Sequence, residues 1–238
     1  MPTLVLLRHG QSQWNLEHRF TGWVDVDLTA QGEAEAVAAG EMMAAEAIAF
    51  DRAYASVLTR AIRTACLALG AAGQLWIPLA KDWRLNERHY GALTGLDKIK
   101  TAESHGEAQV RIWRRSYDVA PPPLPAGSEF DFAGDRRYAA IKAPTTESLK
   151  TTLARVLPYW RREIAPRLAA GETILVAAHG NSLRAIVKHL FAVSEAAIVE
   201  VEIPTGNPLL IELSTDLKPY AARYLDGARA QALPPPPP

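Results

Sequence analysis

The sequence predicts an α/β fold: a three-layer sandwich whose mostly parallel central sheet carries helices on both faces, with a helical and irregular insertion at one end. Three observations predict it. The runs "TLVLL" (3–7) and "ETILVAAHG" (172–180) hold unbroken apolar stretches, as strands buried on both faces do. Segments with helical apolar spacing separate the strand candidates, which is the alternation of a parallel sheet. Each apolar run also ends abruptly in polar residues, and ligands of such sheets bind beyond the carboxyl ends of the strands.

Taken in order, residues 3–7 form the first strand. After a polar, Trp-containing loop, "TAQGEAEAVAAGEMMAAEAI" (29–48) reads as a helix capped by Thr29. "FDRAYAS" (50–56) is a second strand and "TRAIRTACLALGA" (59–71) a second helix. "LWIPLAKDWRLN" (75–86) offers a short strand ending near Asn86. "KIKTAESHGEAQVRIWRRSY" (98–117) has helical character without a strand partner, and it leads into a Pro-, Gly- and charge-rich stretch, 120–144. The whole excursion, about 87–146, is expected to cap one end of the sheet, since so long an irregular stretch in a compact domain is usually functional or disordered. A long helix over 146–171, bent at Pro158, returns the chain to the strand at 172–180, the helix at 181–193 and a last strand "PLLIEL" (208–213). Residues 1–225 are expected to form one domain, and 226–238, ending in prolines, a mobile tail.

Composition narrows the function. Lys plus Arg total 26 and Asp plus Glu total 26, so no global field favours nucleic acid or membrane, and any anion must be held by a local cluster. The single cysteine, Cys66, excludes an internal disulfide and a cysteine-built metal cage, and reads as helix packing. No run approaches a membrane span and the N-terminal run is too short for a secretory signal, so a cytoplasmic protein is expected.

The polar strand ends carry the chemistry. Arg8, His9 and Gly10 follow the first strand, Arg60 and Arg63 open the helix after the second, Glu87 and Arg88 follow the third, and His179 and Gly180 follow the fourth. A parallel sheet brings them to one edge. Arginine binds phosphate oxygens bidentately and keeps its charge. A helix N-terminus at Arg60 adds free N–H groups, and Gly10 lets backbone approach an anion. A neutral imidazole can accept a phosphoryl group on one nitrogen while a carbonyl holds the other. Phosphoryl transfer asks mainly for positioning and charge stabilisation, and this edge supplies both.

The blocks "RHGQSQWN", "FTGW", "SVLTRAIRT", "LNERHYGALTGL", "WRRSYD" and "AAHGNSLRA" resemble the motifs of the histidine phosphatase superfamily. More narrowly, they resemble its 2,3-bisphosphoglycerate-dependent phosphoglycerate mutases, over about residues 2–220. The resemblance implies that His9 is the phosphorylated nucleophile, that Arg8, Arg60 and His179 form its phosphate pocket, and that Glu87 is the general acid/base. It implies substrate contacts for Ser12, Asn15, Thr21, Gly22, Arg88, His89, Tyr90, Lys98, Arg114, Arg115, Gly180 and Asn181. The implied reaction interconverts 3-phosphoglycerate and 2-phosphoglycerate, with 2,3-bisphosphoglycerate as phosphoryl primer and no metal. A homo-oligomer, dimer or tetramer, is implied as well. Gln11 and Asp97 depart from the family pattern, which usually has Glu and often has Asn at those positions.

Two other classes compete. A histidine phosphatase hydrolysing small phosphate esters would pass the phosphoryl group to water, and a phosphate-binding module would not need Glu87. A basic lid over 87–117 suits retention of a small bisphosphate and exclusion of water. "HGNSL" lacks the closing glycine of a serine-hydrolase elbow, so Ser182 reads as a helix-cap residue. His18, His105 and His189 read as surface residues, and Trp14, Trp23 and Trp113 as packing.

Overall fold

Leu4 and Leu6 of β1 (Thr3–Arg8) face one apolar core and Val5 and Leu7 the other, and all four are fully buried. A strand buried on both faces needs no polar alternation, which is why this run is continuous. The same holds for β4 (Thr173–Ala178), whose Ile174 and Val176 join the first core and Leu175 the second. The computed structural model, which describes residues 2–235, sets six strands in the order β3-β2-β4-β1-β5-β6. β2 (Arg52–Ala55), β3 (Leu79–Lys81), β4 and β1 are parallel, while β5 (Leu209–Leu213) and β6 (Pro219–Tyr224) add an antiparallel edge.

The helices supply the outer layers. After a single turn, α1 (Gln13–Leu16), come α2 (Ala30–Ala45), capped by Thr29, and α3 (Thr59–Ala71), which pack together beneath the second core. α4 (Lys98–His105) and α5 (Glu107–Arg115) meet at Gly106, whose φ of +82° breaks the single helix expected over 98–117. α6 (Leu149–Tyr159) carries Pro158 and runs into a π turn at Trp160–Ile164 before α7 (Ala165–Ala169). α8 (Gly180–Leu190) leaves β4 directly and packs on α6.

Several expectations need correction. The strand expected over 75–86 is only three residues long, because Asp82 accepts a bond from Arg84 N at 2.8 Å and turns the chain into a 3-10 helix, Trp83–Leu85. "PLLIEL" is not the last strand, since "PYAARY" pairs antiparallel with it as an edge strand. The stretch 120–144 is irregular yet tied down: Ala92 N donates to Pro122 O at 2.8 Å, and Tyr138 is buried against Trp23. The start of the tail is also held. Asp226 caps a short turn, Gly227–Arg229, whose Arg229 donates to Thr205 O, and Leu233 packs against the first core. Residues 236–238 of that tail lie outside the described residues.

Candidate active site

Sheet register brings the first three groups together. β1 and β4 finish level, with Arg8 opposite Ala178, and β2 ends with Ala55 opposite Ala177. The next residues of the three strands, His9, His179 and Ser56, therefore emerge side by side. His9 N donates to Ala178 O at 3.0 Å, the two imidazole centroids lie 5.0 Å apart, and Ser56 Oγ is 2.7 Å from His179 Nε2. His9 Nδ1 is 2.7 Å from Gly10 O. A carbonyl can only accept, so Nδ1 carries the proton and Nε2 keeps a free lone pair. Burial first, then Arg60 and Arg8, hold the His9 pKa well below its usual value, so the ring stays neutral.

Gly10 has a packing reason. A Cβ there would stand 2.1 Å from Gly32 O, so the glycine lets the loop after β1 touch the first turn of α2. Its carbonyl then fixes His9, and its N–H donates to Thr64 Oγ1 at 3.2 Å.

Arg8 and Arg60 flank the imidazoles, and a third arginine, Arg88, lies against Tyr90. Arg60, on the first turn of α3, donates to Val24 O and Gly22 O, each at 2.8 Å, and burial lowers its pKa to about 10. Gly22 turns its carbonyl this way through a φ of +56°. Arg8 donates to Ile203 O at 2.8 Å and Arg88 to Arg114 O at 2.9 Å. Each of the three retains a buried nitrogen without a protein partner: Arg8 Nε, Arg60 Nε, and Arg88 Nε and Nη1. His179 Nδ1 is in the same condition. Unpaired buried donors are costly, and several around one spot fit an anion. Between them stands one carboxylate, Glu87, whose Oε1 accepts from Arg88 N at 2.7 Å and from Asn181 N at 3.2 Å.

Two cavities of about 90 Å³ share the walls Arg8, Glu87, Tyr90 and Arg114. One is completed by His9, Asn15, Thr21, Gly22, Arg60 and Lys98, and the other by Arg115, Gly180, Asn181, Arg184 and Glu202. Both share Arg114 with a wider recess of about 890 Å³ bordered by α4, α5 and residues 199–202. The C-terminal carbonyls of α5 accept from two buried arginines, Arg88 at Arg114 O and Arg184 at Arg115 O, and Arg115 pairs with Glu202 at 3.0 Å. These bonds satisfy helix-end carbonyls that would otherwise lack partners, and they seat α5 over the strand ends. Tyr90 stacks under Arg88 at 4.8 Å. Burial raises its pKa, but Arg88 and Lys98 outweigh burial and the net shift is downward.

Three expected contact residues, Arg88, Ser12 and His89, line neither small cavity, and Arg88 is buried between Tyr90 and Arg114 O. Ser12 is fully buried and caps α1, with its hydroxyl donating to Asn15 Oδ1 at 2.9 Å, so it orients Asn15 from behind. His89 points into an aromatic box of Trp23 and Phe132, accepts from Gly91 N at 3.0 Å, and has its pKa lowered by burial to about 4. The departures from pattern are placed as well. Gln11 accepts from Thr29 Oγ1 at 3.0 Å, and Asp97 caps α4 through Ile99 N and Lys100 N. Ser182 bonds His179 N at 3.2 Å within the first turn of α8, as a capping residue. Sequence reasoning missed Ser56 and Arg184. Both lie inside the quoted blocks, but a serine and an arginine next to helix starts carry no periodic signal.

Among the described residues, no group of three or more His, Cys, Asp or Glu is placed to hold a metal ion, and no helix is long and apolar enough to cross a membrane. A family model described as the histidine phosphatase superfamily, branch 1, matches residues 4–219. The chain belongs to the histidine phosphatase superfamily. Within it, the chain is 71% identical over 98% of its length to a protein of Caulobacter sp. (strain K31) named 2,3-bisphosphoglycerate-dependent phosphoglycerate mutase, covering 99% of that protein. A protein of the same name from Sphingopyxis alaskensis is 63% identical, with 94% of this chain and 99% of that one covered. Among solved structures, a mycobacterial glucosyl-3-phosphoglycerate phosphatase superposes with a TM-score of 0.67 over 94% of this chain and 96% of its own, at 22% identity. That likeness confirms the superfamily fold.

Proposed function

We propose that this histidine phosphatase superfamily member interconverts 3-phosphoglycerate and 2-phosphoglycerate through a phosphorylated His9. The single observation that carries the reading is the pair of small cavities sharing Arg8, Glu87, Tyr90 and Arg114, a shape suited to a small molecule with an anion at each end. The full-length relatives named as phosphoglycerate mutases support it. When bound, 2,3-bisphosphoglycerate supplies the phosphoryl group that primes His9. The unpaired nitrogens of Arg8, Arg60 and His179 fit its anionic oxygens.

His9 Nε2 takes a phosphoryl group as the phosphorus–oxygen bond of the donor breaks, and the departing oxygen takes its proton from Glu87. In the return transfer the phosphorus–nitrogen bond breaks, and the accepting hydroxyl gives its proton to Glu87 as its oxygen bonds phosphorus. Both transfers leave His9 and Glu87 as they began. Arg8 and Arg60 hold the charge of the transferring group beside His9, with Asn15, Thr21 and Gly22 lining the same cavity. Lys98 lines that cavity too, while Arg114, Arg115 and Asn181 hold the other end, so that it can reorient without leaving. Ser12 and His89 act from behind the wall, through Asn15 and through the backbone at Gly91. Arginine replaces metal in this reading, the protein works in the cytoplasm, and a homo-oligomer is proposed on family resemblance alone.

A coupled assay on 3-phosphoglycerate tests the reading. Isomerisation should be stimulated by added 2,3-bisphosphoglycerate and should survive chelators. Phosphate release without isomerisation would instead make the chain a phosphatase, and activity lost to chelation would point to metal.

A further inference from the structure

A buried hydroxyl needs an acceptor for its proton. Ser56 is fully buried at the end of β2, and its Oγ accepts from Leu58 N at 3.2 Å. The other partner of this hydroxyl is His179 Nε2 at 2.7 Å. If Nε2 were protonated, ring and amide would both donate to Ser56, and the hydroxyl proton would have no acceptor. With Nε2 unprotonated, the hydroxyl donates to the ring and the group is satisfied. The ring proton then sits on Nδ1, which is buried and has no protein partner.

We propose that Ser56 is a positioning residue that fixes His179 as the Nδ1–H tautomer, so that a neutral ring donates a hydrogen bond to the phosphoryl group on His9. The proposal rests on the reading of His9 given above. Burial first, then Arg60, His9, Arg155 and Arg8, hold the His179 ring neutral. Tautomer therefore decides what the ring can do. The Nδ1–H form offers a donor beside His9, whereas the Nε2–H form would turn a lone pair toward phosphoryl oxygens and repel them. Register makes the arrangement possible, because β1 and β4 end level and β2 ends one residue short of them, which brings Ser56, His179 and His9 together.

The test uses the full chain with isotope-labelled histidine. Nuclear magnetic resonance of the wild type should show His179 neutral, with its proton on Nδ1, between about pH 6 and pH 8. Ser56→Ala should give mixed tautomers and lower kcat about tenfold to a hundredfold, with KM for 3-phosphoglycerate within about twofold. His9 should still be labelled by saturating 2,3-bisphosphoglycerate, which shows that the variant folds. Ser56→Thr keeps the hydroxyl and should restore the tautomer and most of kcat. A proton on Nε2 of wild-type His179 would overturn the proposal. So would a Ser56→Ala protein whose ring signals and kcat are unchanged, or one whose only change is a lower Tm. An expected wild-type ring spectrum with no label on His9 would overturn the phosphohistidine reading, and the purpose of the donor with it.

Discussion

Two kinds of arginine meet at residues 86–90. Arg155 uses every guanidinium nitrogen: Nε and Nη2 reach Glu147 at 2.6 and 2.9 Å, Nη1 reaches Arg84 O, and Nη2 also reaches Glu87 O. Arg8, Arg60 and Arg88, across the same segment, each keep a buried nitrogen without a partner. Arg60 and Arg88 are buried as Arg155 is, and Arg8 is half-buried, so burial and charge do not separate the groups. Hydrogen-bond satisfaction does. The saturated pair fastens α6, which carries Arg155, to the segment, and Glu147 Oε2 accepts from His89 N at 2.8 Å. The unsaturated set has capacity left for an external anion.

The largest effect should come from breaking the saturated pair. Arg155→Ala strands the Glu147 carboxylate and should cost about 3–5 kcal/mol of stability, read from urea denaturation. Arg8→Ala should cost about 1 kcal/mol or less while removing most activity, because it gives up one bond to Ile203 O. Equal losses in the two proteins would erase the distinction.

Glu87→Gln keeps the size of the one carboxylate among the unsaturated cations but cannot carry protons. It should lower kcat about a hundredfold to ten-thousandfold and change KM little, as steady-state kinetics will show. A loss confined to KM would make Glu87 a binding group only.

The pH dependence of stability sharpens the same contrast. His89, beside the saturated pair, titrates at about 4 when folded, against about 6.5 in an unfolded chain. The unfolded chain binds the extra proton, so stability is complete above about pH 6.5 and falls as pH drops toward 4, by about 3 kcal/mol for this group. His9 and His179 shift the same way and steepen the loss. His89→Phe should flatten part of the slope in thermal melts between about pH 7 and pH 4.5.

The smallest effect belongs to the rim. Arg115→Ala removes charge-assisted bonds of about 1.5–3 kcal/mol and should raise escape of bisphosphate during turnover while His9 is still phosphorylated. Unchanged retention would mean that α5 is no lid.

Much of the fold and the grouping of the site residues was legible in the sequence, and the limits were physical. The unbroken runs at 3–7 and 172–180 marked β1 and β4 because strands buried on both faces show no polar alternation. β6 was missed because an edge strand of alanines, with Arg223 and Tyr220 facing outward, has little pattern to read. Arg8, His9, Arg60, Glu87 and His179 could be grouped from their place at strand ends. Their hydrogen-bond saturation could not, since it depends on carbonyls far away in sequence, such as Ile203 O for Arg8. The expected contacts of His89 and Ser12 failed for a related reason: adjacency within a motif does not say which way a side chain turns.

The central claim is that the unsaturated donors surround a phosphoryl group carried on His9 Nε2. Incubation with radiolabelled 2,3-bisphosphoglycerate, followed by peptide mapping, tests it most directly. The account predicts acid-labile, base-stable label on His9, attached through Nε2 and absent from His9→Ala. Label that persists in His9→Ala, or that maps to another residue, would contradict it.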